Sequence, residues 1–396
     1  MICAGITKAG NIITVDYVAG DGTRGASWSD PYRLVDILDT SVANGWGVTV
    51  QSGTDFSHYF IPYRVTIEGA DTYALIQEEG VMIETTESYA FYVSGANFRS
   101  ITSAALKPHN IISSSSYKQF HIYNNAAGTS LIQDTIFNNF NIFRARGDIT
   151  FQRVCFEGVS SATIPYTVGD GITFEDIVIS MGGSVFTPFG DFVSASRIKI
   201  QYSSYGIVIG YGNLNISNLQ IQNCDYDLRL LSFAAGIIAN LTDCEVDVTS
   251  TRKGIVGNGD VTLNLLSTFK INITNGDGGT ATLYDQFGNV VATQTLSGEW
   301  EVAGKVLYYK RYYEVTDGVE SADEITEYFP FSLVVTKAGK QTLTVPGINI
   351  EAGEITHVRA GMIDVLEYTE ALIEGTIDEE NFDFEFKEEE FTFELD

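Results

Sequence analysis

The chain has 396 residues, of which 44% are hydrophobic and only 7 are Pro, and its formal net charge is -28 with a pI of about 4.3. This length allows two or three domains of globular composition. The charge argues against binding to nucleic acid or to anionic membrane surfaces, because both require a basic footprint. No apolar run approaches the ~18 residues of a transmembrane helix, so membrane insertion is not expected.

Residues 1–46 are predicted to form an N-terminal strand and a capping helix. Residues 11–18 alternate in hydrophobicity as a strand does, and a Gly/Ser/Asp-rich loop follows. The pair Asp30-Pro31 is typical of a helix start with Asp30 as the N-cap, and apolar residues recur at helical spacing from Tyr32 to Leu38. We expect this helix to protect the open edge of the strands that follow it.

The pattern between residues 47 and 146 is less regular. Its serine-rich segment at 113–117 is predicted to be a turn or a loop. Strands are predicted at 63–69, 81–86, 96–103 and 120–125.

From Ile149 to Ile221 the sequence repeats one pattern four times: apolar, any, apolar, two polar, apolar, any, apolar. A single copy cannot bury its apolar face, so the copies are expected to stack as a parallel β-solenoid over residues 47–275. The second apolar position recurs every 21 to 23 residues, at Phe151, Phe174, Ala195 and Ile216. Stacking would align Ile149, Ile172, Val193 and Leu214 in one interior column, and Phe156, Ile179, Ile200 and Ile221 in another.

The polar pair inside each copy is predicted to be a corner of the solenoid. Corner residues of successive copies should also stack, so that their opposite charges lie next to each other; these residues are Arg153, Asp176, Arg197 and Asn218. Looser copies continue at Ile237/Ala239 and at Val261/Leu263, and residues 261–275 are interpreted as the last coil.

The N-terminal segment adds a family resemblance. A strand, a Gly-rich loop, residues Ser27-Trp28-Ser29-Asp30-Pro31-Tyr32, a short helix and Gly47-Val48-Thr49-Val50 follow one another. This order resembles pectin-lyase-like right-handed parallel β-helix proteins, a group that includes polysaccharide lyases and hydrolases, bacterial surface proteins and phage tailspikes. The resemblance covers roughly residues 10–275 and implies a right-handed parallel β-helix.

Residues 276–363 change character after the loop at 275–279, and a hairpin turn is predicted at 287–289. This segment is similar to the carboxypeptidase-regulatory-like β-sandwich family. The similarity rests on residues 284–289, 336–340 and 351–353. It implies a small accessory or spacer domain without catalysis.

Residues 364–396 carry 14 Asp/Glu and one Lys, with Phe alternating with acidic residues. One interpretation is a solvated, partly disordered acidic tail. The other is a strand that pairs with a neighbouring subunit, because Phe residues two apart would share one face. The assembly residues on this second interpretation are Phe382, Phe384, Phe386, Phe391 and Phe393.

The candidate catalytic residues are Asp225, Asp227 and Arg229, spaced two residues apart. In a strand they would point to one side of the solenoid, where two carboxylates could perform acid–base chemistry on a sugar, or the Arg could stabilise a carbanion next to a uronate. The alternative is an ordinary outward polar face.

No cofactor is predicted firmly. Loops 20–22, 258–260 and 275–279 offer oxygen ligands for Ca²⁺, with simple turns as the alternative. The four cysteines form no CxxC or Cys/His cluster, which makes a zinc site unlikely by spacing, and Cys155 and Cys244 are expected to be buried free thiols.

Three functions compete. The first is a structural or adhesive virion protein of the tailspike, fibre or capsid-decorating type, whose partners are subunits of the same protein, other virion proteins or a surface glycan. The second is a polysaccharide lyase or glycoside hydrolase. The third is a cell-surface adhesin or filament subunit located outside the cell. Residues 1–5 lack a basic start and a long apolar core, so no secretory signal is predicted, which favours assembly in a host cytoplasm.

Overall fold

The computed structural model describes residues 5–17, 24–52, 57–69, 72–76, 81–85, 89–94, 96–101, 110–124, 130–163, 171–180, 194–231, 233–254 and 257–364. Apart from one helix, every regular element in these ranges is a β-strand, so the predicted all-β class is confirmed. The same ranges contain no helix long and apolar enough to cross a membrane. The predicted assembly residues Phe382, Phe384, Phe386, Phe391 and Phe393 lie outside them.

The chain begins with an antiparallel hairpin and continues into a short strand and a helix. These elements are β1 (Ile6–Ala9), β2 (Ile12–Val15), β3 (Tyr32–Arg33) and α1 (Leu34–Ala43). Helix α1 buries Leu34, Ile37 and Leu38, as the apolar spacing predicted.

The helix starts later than the sequence predicted, and Asp30 is not its N-cap. The N-cap is Arg33, which has an extended backbone and makes no side-chain capping hydrogen bond. The reason lies in the sheet, because Tyr32 and Arg33 pair in parallel with Ala74 and Leu75. Burial of Tyr32 to 1% exposure holds these residues in the sheet before the helix can begin.

The next part of the chain is a run of short strands, which includes all four strands predicted here. They are β4 (Thr49–Ser52), β5 (Ser57–Ile61), β6 (Arg64–Ile67), β7 (Thr72–Ile76), β8 (Val81–Thr85), β9 (Tyr89–Ser94), β10 (Ala96–Ser100), β11 (Asn110–Asn124), β12 (Ser130–Gln133) and β13 (Thr135–Gly147). The turn or loop predicted at 113–117 instead lies inside β11. The register against β13 shifts there, between the pairs Ser113↔Asn138 and Lys118↔Phe140.

The repeat region contains a second run of strands. These are β14 (Ile149–Gln152), β15 (Cys155–Glu157), β16 (Ser161–Thr163), β17 (Ile172–Ser180), β18 (Ser194–Gln201), β19 (Tyr205–Ile209), β20 (Leu214–Gln222), β21 (Tyr226–Leu231), β22 (Ile237–Thr242), β23 (Thr251–Gly254) and β24 (Gly259–Thr274). Strands of successive repeats pair in parallel, for example β14 with β17, β17 with β18 and β20 with β22, at residue offsets from 21 to 25.

Each repeat contributes up to three strand segments, and segments at the same place in successive repeats form a row. The first row contains β7, β10, β12, β14, the first halves of β17, β18 and β20, then β22 and β24. The second row contains β5, β8, the first halves of β11 and β13, β15, and the second halves of β17, β18 and β20. The third row contains β2, β6, β9, the second halves of β11 and β13, and β16; β19, β21 and β23 take the same place in later repeats.

The predicted stacking register is confirmed between β14 and β20. Phe151 pairs with Phe174 and Phe174 with Ala195, while Ile179 pairs with Ile200 and Ile200 with Ile221. These side chains are all buried, and the Phe151 and Phe174 rings lie 5.0 Å apart. Val193, predicted for one column, lies outside the described residues.

The next repeat does not follow the predicted register. The sequence aligned Ile237 and Ala239 with the earlier copies, but Ile216 pairs with Leu241 rather than with Ala239. A shift of two residues keeps the same side chains facing inward, because strand alternation has a period of two. Amide groups stabilise this register: Asn240 Nδ2 donates to Asn215 Oδ1 at 2.8 Å, and Asn264 Nδ2 donates to Asn240 Oδ1 at 2.9 Å.

The corners between the first and second rows use left-handed backbone. Their residues have φ between 50° and 56°, a region that Asp and Asn enter more readily than most residues; they are Asp134, Arg153, Asp176, Arg197, Asn218 and Asp243. Of the predicted corner charges, Asp176 and Arg197 form a salt bridge between successive corners, whereas Arg153 pairs with Asp134, a corner residue outside the predicted set. Arg153 contacts Asp134 through two hydrogen bonds of 2.7 and 2.9 Å, and Arg197 contacts Asp176 at 2.6 Å and also Glu175.

The C-terminal part is antiparallel except where β31 joins β24. Its strands are β25 (Thr280–Tyr284), β26 (Val290–Thr295), β27 (Trp300–Thr316), β28 (Val319–Glu327), β29 (Phe331–Thr336), β30 (Leu343–Ile348) and β31 (Thr356–Gly361). Strands β26, β25, β29 and β30 form one sheet, with the predicted hairpin between β25 and β26. Phe269 of β24 packs edge-on against Phe331 of β29 at 5.5 Å, so this sheet packs against β24.

Strand β24 belongs to both parts of the molecule. Its N-terminal residues pair with β22, its C-terminal residues pair with β31, and β27 runs antiparallel along most of its length. The long strand β27 therefore covers the edge that the last parallel strand would otherwise expose. The predicted turn at 275–279 is present, but it follows a strand that the two parts share.

We predict that the salt bridge between Asp134 and Arg153 stabilises the stack. Asp134 is 6% exposed, so Asp134→Asn would keep the left-handed corner but lose a charge-assisted pair, lowering the free energy of unfolding by about 1–3 kcal/mol. Asp317→Asn is the matched control, because Asp317 has φ of 53° and is exposed. Urea unfolding followed by circular dichroism measures the free energy of unfolding of both variants. An equal loss in Asp134→Asn and Asp317→Asn would contradict the prediction.

Candidate functional site

The candidate site lies on the outer face of the sheet formed by β19, β21 and β23. Tyr205 and Val208 lie in a small apolar cluster separate from the main core, whereas Ile207 and Ile209 belong to the main core. This departure from simple alternation falls at Gly206. A Cβ at this glycine would lie 2.5 Å from the backbone oxygen of Asp227, so only glycine permits the close approach of β19 to β21.

Aromatic rings stack on this face in two pairs. Tyr205 pairs with Tyr226 in register, and their rings are stacked with centroids 5.9 Å apart. Tyr211, just after β19, and Phe233, just after β21, stack at 4.4 Å. Tyr226 is 38% exposed and Phe233 is 39% exposed, so ring surface is available to a ligand. Flat aromatic surface with a polar edge suits a partner that has both apolar and polar faces.

Two arginines occupy adjacent positions of the same face. Val208, Arg229 and Arg252 are register partners across the three strands. The Arg229 guanidinium lies over the Tyr205 ring at 4.9 Å, and the Arg252 guanidinium lies 5.8 Å from the Tyr205 and Tyr226 rings. Arg252 Nη1 also donates a hydrogen bond to the Tyr205 hydroxyl at 2.6 Å. The rings and the cations therefore form one continuous surface, which we call the Tyr–Arg face. It consists of Tyr205, Tyr211, Tyr226, Arg229, Phe233 and Arg252.

The predicted catalytic residues do not converge on this face. Asp225 is exposed and precedes β21. The Asp227 carboxylate accepts a hydrogen bond from the backbone N–H of Asp247 at 2.7 Å, and burial raises the pKa of Asp227 while this hydrogen bond lowers it. Arg229 instead lies against Tyr205. Asp225 lies before the strand, so strand alternation cannot align all three side chains, and their catalytic role stays a prediction.

Sequence reasoning missed most of the Tyr–Arg face. Only Arg229 was predicted, because its spacing from Asp225 and Asp227 is typical of acid–base chemistry. The available signal was the repeat itself: Tyr205 and Tyr226 occupy equivalent positions, as do Arg229 and Arg252. Residues that recur at the repeat period on an outward position stack into a surface feature.

A second aromatic and basic group lies in the third row nearer the N-terminus. Tyr92, His121 and Arg144 are register partners, and the Tyr123 hydroxyl lies 3.4 Å from His121 Nδ1. The Arg64 guanidinium lies 5.9 Å from the Tyr92 ring. Burial of His121 and the positive charge of Arg144 lower the pKa of His121 to about 4. This imidazole is therefore neutral at physiological pH and adds no charge to the surface.

A shallow groove of about 220 Å³ on the second row is a weaker candidate. Its lining includes Arg153, Cys155 and Asp176. Burial and the nearby Glu157 raise the pKa of the Cys155 thiol to about 11, so this thiol is protonated and a poor nucleophile at neutral pH. Cys155, Cys224 and Cys244 are free, and Cys244 is buried as predicted, whereas Cys155 is only partly buried.

The loops predicted to bind Ca²⁺ use their polar oxygens within the protein where they are described. Asn258 Oδ1 accepts from Gly318 N at 3.3 Å, Asp260 Oδ1 from Gly236 N at 2.9 Å, and Asp277 Oδ1 from Gly298 N at 2.8 Å. Loop 20–22 lies outside the described residues. Across the part of the chain that the structure describes, no group of three His, Cys, Asp or Glu side chains is arranged to hold a metal ion.

We predict that His121→Phe makes the protein less sensitive to acid. The unfolded chain binds a proton at His121 below about pH 6.5, but the folded protein does so only below about pH 4. The contribution of neutral His121 to the free energy of unfolding is therefore lost as the pH falls from about 6.5 to about 4. Phe keeps the ring between Tyr92 and Arg144 but cannot titrate. Thermal unfolding at pH 7 and pH 4.5 tests this.

The control is His357→Gln, because His357 is exposed on β31. The pH dependence of unfolding should remain as in the unmodified protein for His357→Gln and become shallower for His121→Phe. An unchanged pH dependence in His121→Phe would contradict the prediction.

Comparison with protein-family models, with curated proteins and with solved structures finds no match to this chain.

Proposed function

We propose that this chain is a structural and adhesive protein of a virus particle, of the tailspike or fibre type, which binds a surface glycan through the Tyr–Arg face. In this proposal the stacked strands form a right-handed parallel β-helix of the pectin-lyase-like group. The partners are subunits of the same protein or other virion proteins, and the protein is located in the virion. A cellular adhesin would use the same surface in the same way.

The β-helix is supported by parallel pairing at a nearly constant offset. Pairing of one repeat with the next extends from β14 to β24, with inward columns of Ile, Phe and Leu and left-handed corners between rows. A stack of this kind resists bending because each added strand extends the same hydrogen-bonded rows. The right-handed sense of the β-helix is taken from the family resemblance.

The C-terminal sheets support the proposal of a carboxypeptidase-regulatory-like spacer. One sheet contains β25, β26, β29 and β30, and it packs through Phe331 against Phe269 of the strand shared with the stack. Such a spacer would fix the angle between the stack and the neighbouring subunit or virion protein that binds the C-terminal segment. The proposal that the acidic tail with Phe382, Phe384, Phe386, Phe391 and Phe393 pairs with a neighbouring subunit remains part of this scheme.

The observation that carries the adhesive function is the Tyr–Arg face, on which Tyr226, Phe233 and Arg252 are exposed. Exposed Tyr and Phe rings pack against the apolar faces of sugar rings, while arginine side chains hydrogen-bond to sugar oxygens. Tyr and Arg are also the residues most often responsible for binding energy at interfaces. Their position on adjacent strands of one sheet suits an extended chain molecule more than a small metabolite, which would require a concave pocket.

Binding is favoured over cleavage by the environment of the predicted catalytic carboxylates. A glycosidase needs two carboxyl groups that flank the scissile bond. The Asp227 carboxylate is bound to the backbone of Asp247, and Asp225 lies in the corner that precedes β21. The alternative function as a polysaccharide lyase or hydrolase therefore has less support than adhesion.

The proposal predicts binding without turnover. The full-length chain should bind at least one polysaccharide in a panel that includes neutral and acidic polymers, measured by retardation in native gels that contain each polymer. Tyr226→Ala should weaken this binding about tenfold, because an exposed ring of the Tyr–Arg face is lost.

Phe287→Ala is the control, because Phe287 is an aromatic residue with 60% exposure on the distant hairpin between β25 and β26. Its binding should equal that of the unmodified protein. The bound polymer should gain no new reducing ends and no unsaturated products during incubation. Cleavage would support the enzymatic alternative, and binding to no polymer in the panel would overturn the adhesive function.

A further inference from the structure

The two arginines of the Tyr–Arg face are placed in an energetically unfavourable way. Arg229 and Arg252 are direct register partners on neighbouring parallel strands, so their backbones are about 4.8 Å apart. Like charges at such positions destabilise a sheet. Among the described residues, no carboxylate forms a salt bridge with either of them.

Two other arginines of the same stack, Arg153 and Arg197, are neutralised by neighbouring repeats. Arg153 pairs with Asp134, and Arg197 pairs with Asp176 and Glu175. These pairs occur at the same corner of successive repeats, where opposite charges alternate. A chain with a net charge of -28 has many acidic residues with which to neutralise a cation, so two adjacent cations without an acidic partner are a distinctive feature.

Arg229 is also incompletely hydrogen-bonded. Its Nε is covered by protein and has no acceptor, although a buried N–H donor normally has one. The guanidinium lies over the Tyr205 ring at 4.9 Å, and this ring face attracts a cation but does not cancel its charge. Arg252 is exposed beside it. The pair therefore retains net positive charge on a surface lined by aromatic rings.

We propose that the Tyr–Arg face selects acidic glycans, with Arg229 and Arg252 binding the carboxylates of uronate residues and the aromatic rings packing on the sugars. This inference rests on the proposed adhesive function and names its ligand class. A guanidinium matches a carboxylate through two parallel hydrogen bonds, which neutral sugars do not offer. Bound carboxylates would also remove the repulsion between the two arginines.

The aromatic rings distinguish this ligand from a simple acidic peptide. Tyr226 and Phe233 present exposed ring faces beside the arginines, and these faces suit sugar rings that alternate with carboxylates along a polymer. Single-stranded nucleic acid also combines rings and negative charge. The overall charge of -28 opposes the approach of its closely spaced phosphates, so an acidic glycan is the better match.

The test compares acidic polymers with their uncharged counterparts. Retardation of the full-length chain is measured in native gels that contain polygalacturonate, alginate or hyaluronan, and in gels that contain the same polymers after reduction of their carboxyl groups. We expect retardation by at least one acidic polymer, about tenfold weaker retardation by its reduced form, and weakening at high salt.

Variants assign the effect to the two arginines. Arg229→Gln/Arg252→Gln should reduce the affinity for the acidic polymer at least about tenfold and leave the affinity for the reduced polymer unchanged. Arg197→Gln is the matched control, because it removes an arginine from a corner outside the Tyr–Arg face. If the double variant does not fold, Arg252→Gln alone tests the same expectation at an exposed position.

The outcomes separate this inference from the proposed function. Equal binding to acidic and reduced polymers would overturn the carboxylate selectivity but leave glycan adhesion standing. If the protein binds neither the acidic polymers nor their reduced forms, and no other glycan, both the carboxylate selectivity and the glycan adhesion are overturned. Equal losses in Arg197→Gln and in the double variant, or tighter binding to a single-stranded oligonucleotide than to any polysaccharide, would also overturn the inference.

Discussion

The in-register stacking of inward apolar side chains is the constraint on which the rest of the molecule depends. Phe151 lies against Phe174, and each following repeat places an apolar residue in the same column. Burial of these side chains is worth about 1.5–3 kcal/mol each, and a register slip of one residue would turn every one of them outward. The columns therefore determine where each corner, outer strand and loop of one repeat meets its equivalent in the next.

The same constraint explains why surface charges are arranged so differently on two sides of the stack. At the left-handed corners, Arg153 and Arg197 each contact carboxylates of the preceding repeat, and the Arg197 guanidinium lowers the pKa of Asp176. On the third row the repeat brings Arg229 next to Arg252. Stacking makes any residue that recurs at the repeat period into a patch, and whether that patch is neutral or charged depends on the neighbouring residues. The corner charges contribute to stability, whereas the uncompensated pair serves recognition in our account.

The sequence predicted the register of β14 to β20 because the apolar pattern there is uninterrupted. Prediction was less successful where tertiary pairing overrides local preference. Pairing with Ala74 and Leu75 keeps Tyr32 and Arg33 in a strand despite the helix-start pattern at Asp30, and β11 continues through a serine-rich segment.

The arrangement of the site could be predicted only in part. Arg229 was found, but its relation to Tyr205 depends on the close approach that Gly206 allows between β19 and β21. This change of side-chain direction within a strand leaves no periodic signal. The pairing of β27 along β24 is also not local, because it joins residues separated by the turn at 275–279. Local patterns do not encode such contacts, whereas the repeat period does encode contacts between successive copies.

Hydroxyl-radical footprinting with mass spectrometry, with and without the acidic polysaccharide that binds most tightly, tests the central claim most directly. The account predicts that the polymer lowers the oxidation of Tyr226 and Phe233, which are both more than one-third exposed in the free protein. Oxidation of Phe287, on the distant hairpin, should stay unchanged. Protection of Phe287 with no change at Tyr226 and Phe233 would contradict the assignment of the Tyr–Arg face as the binding surface.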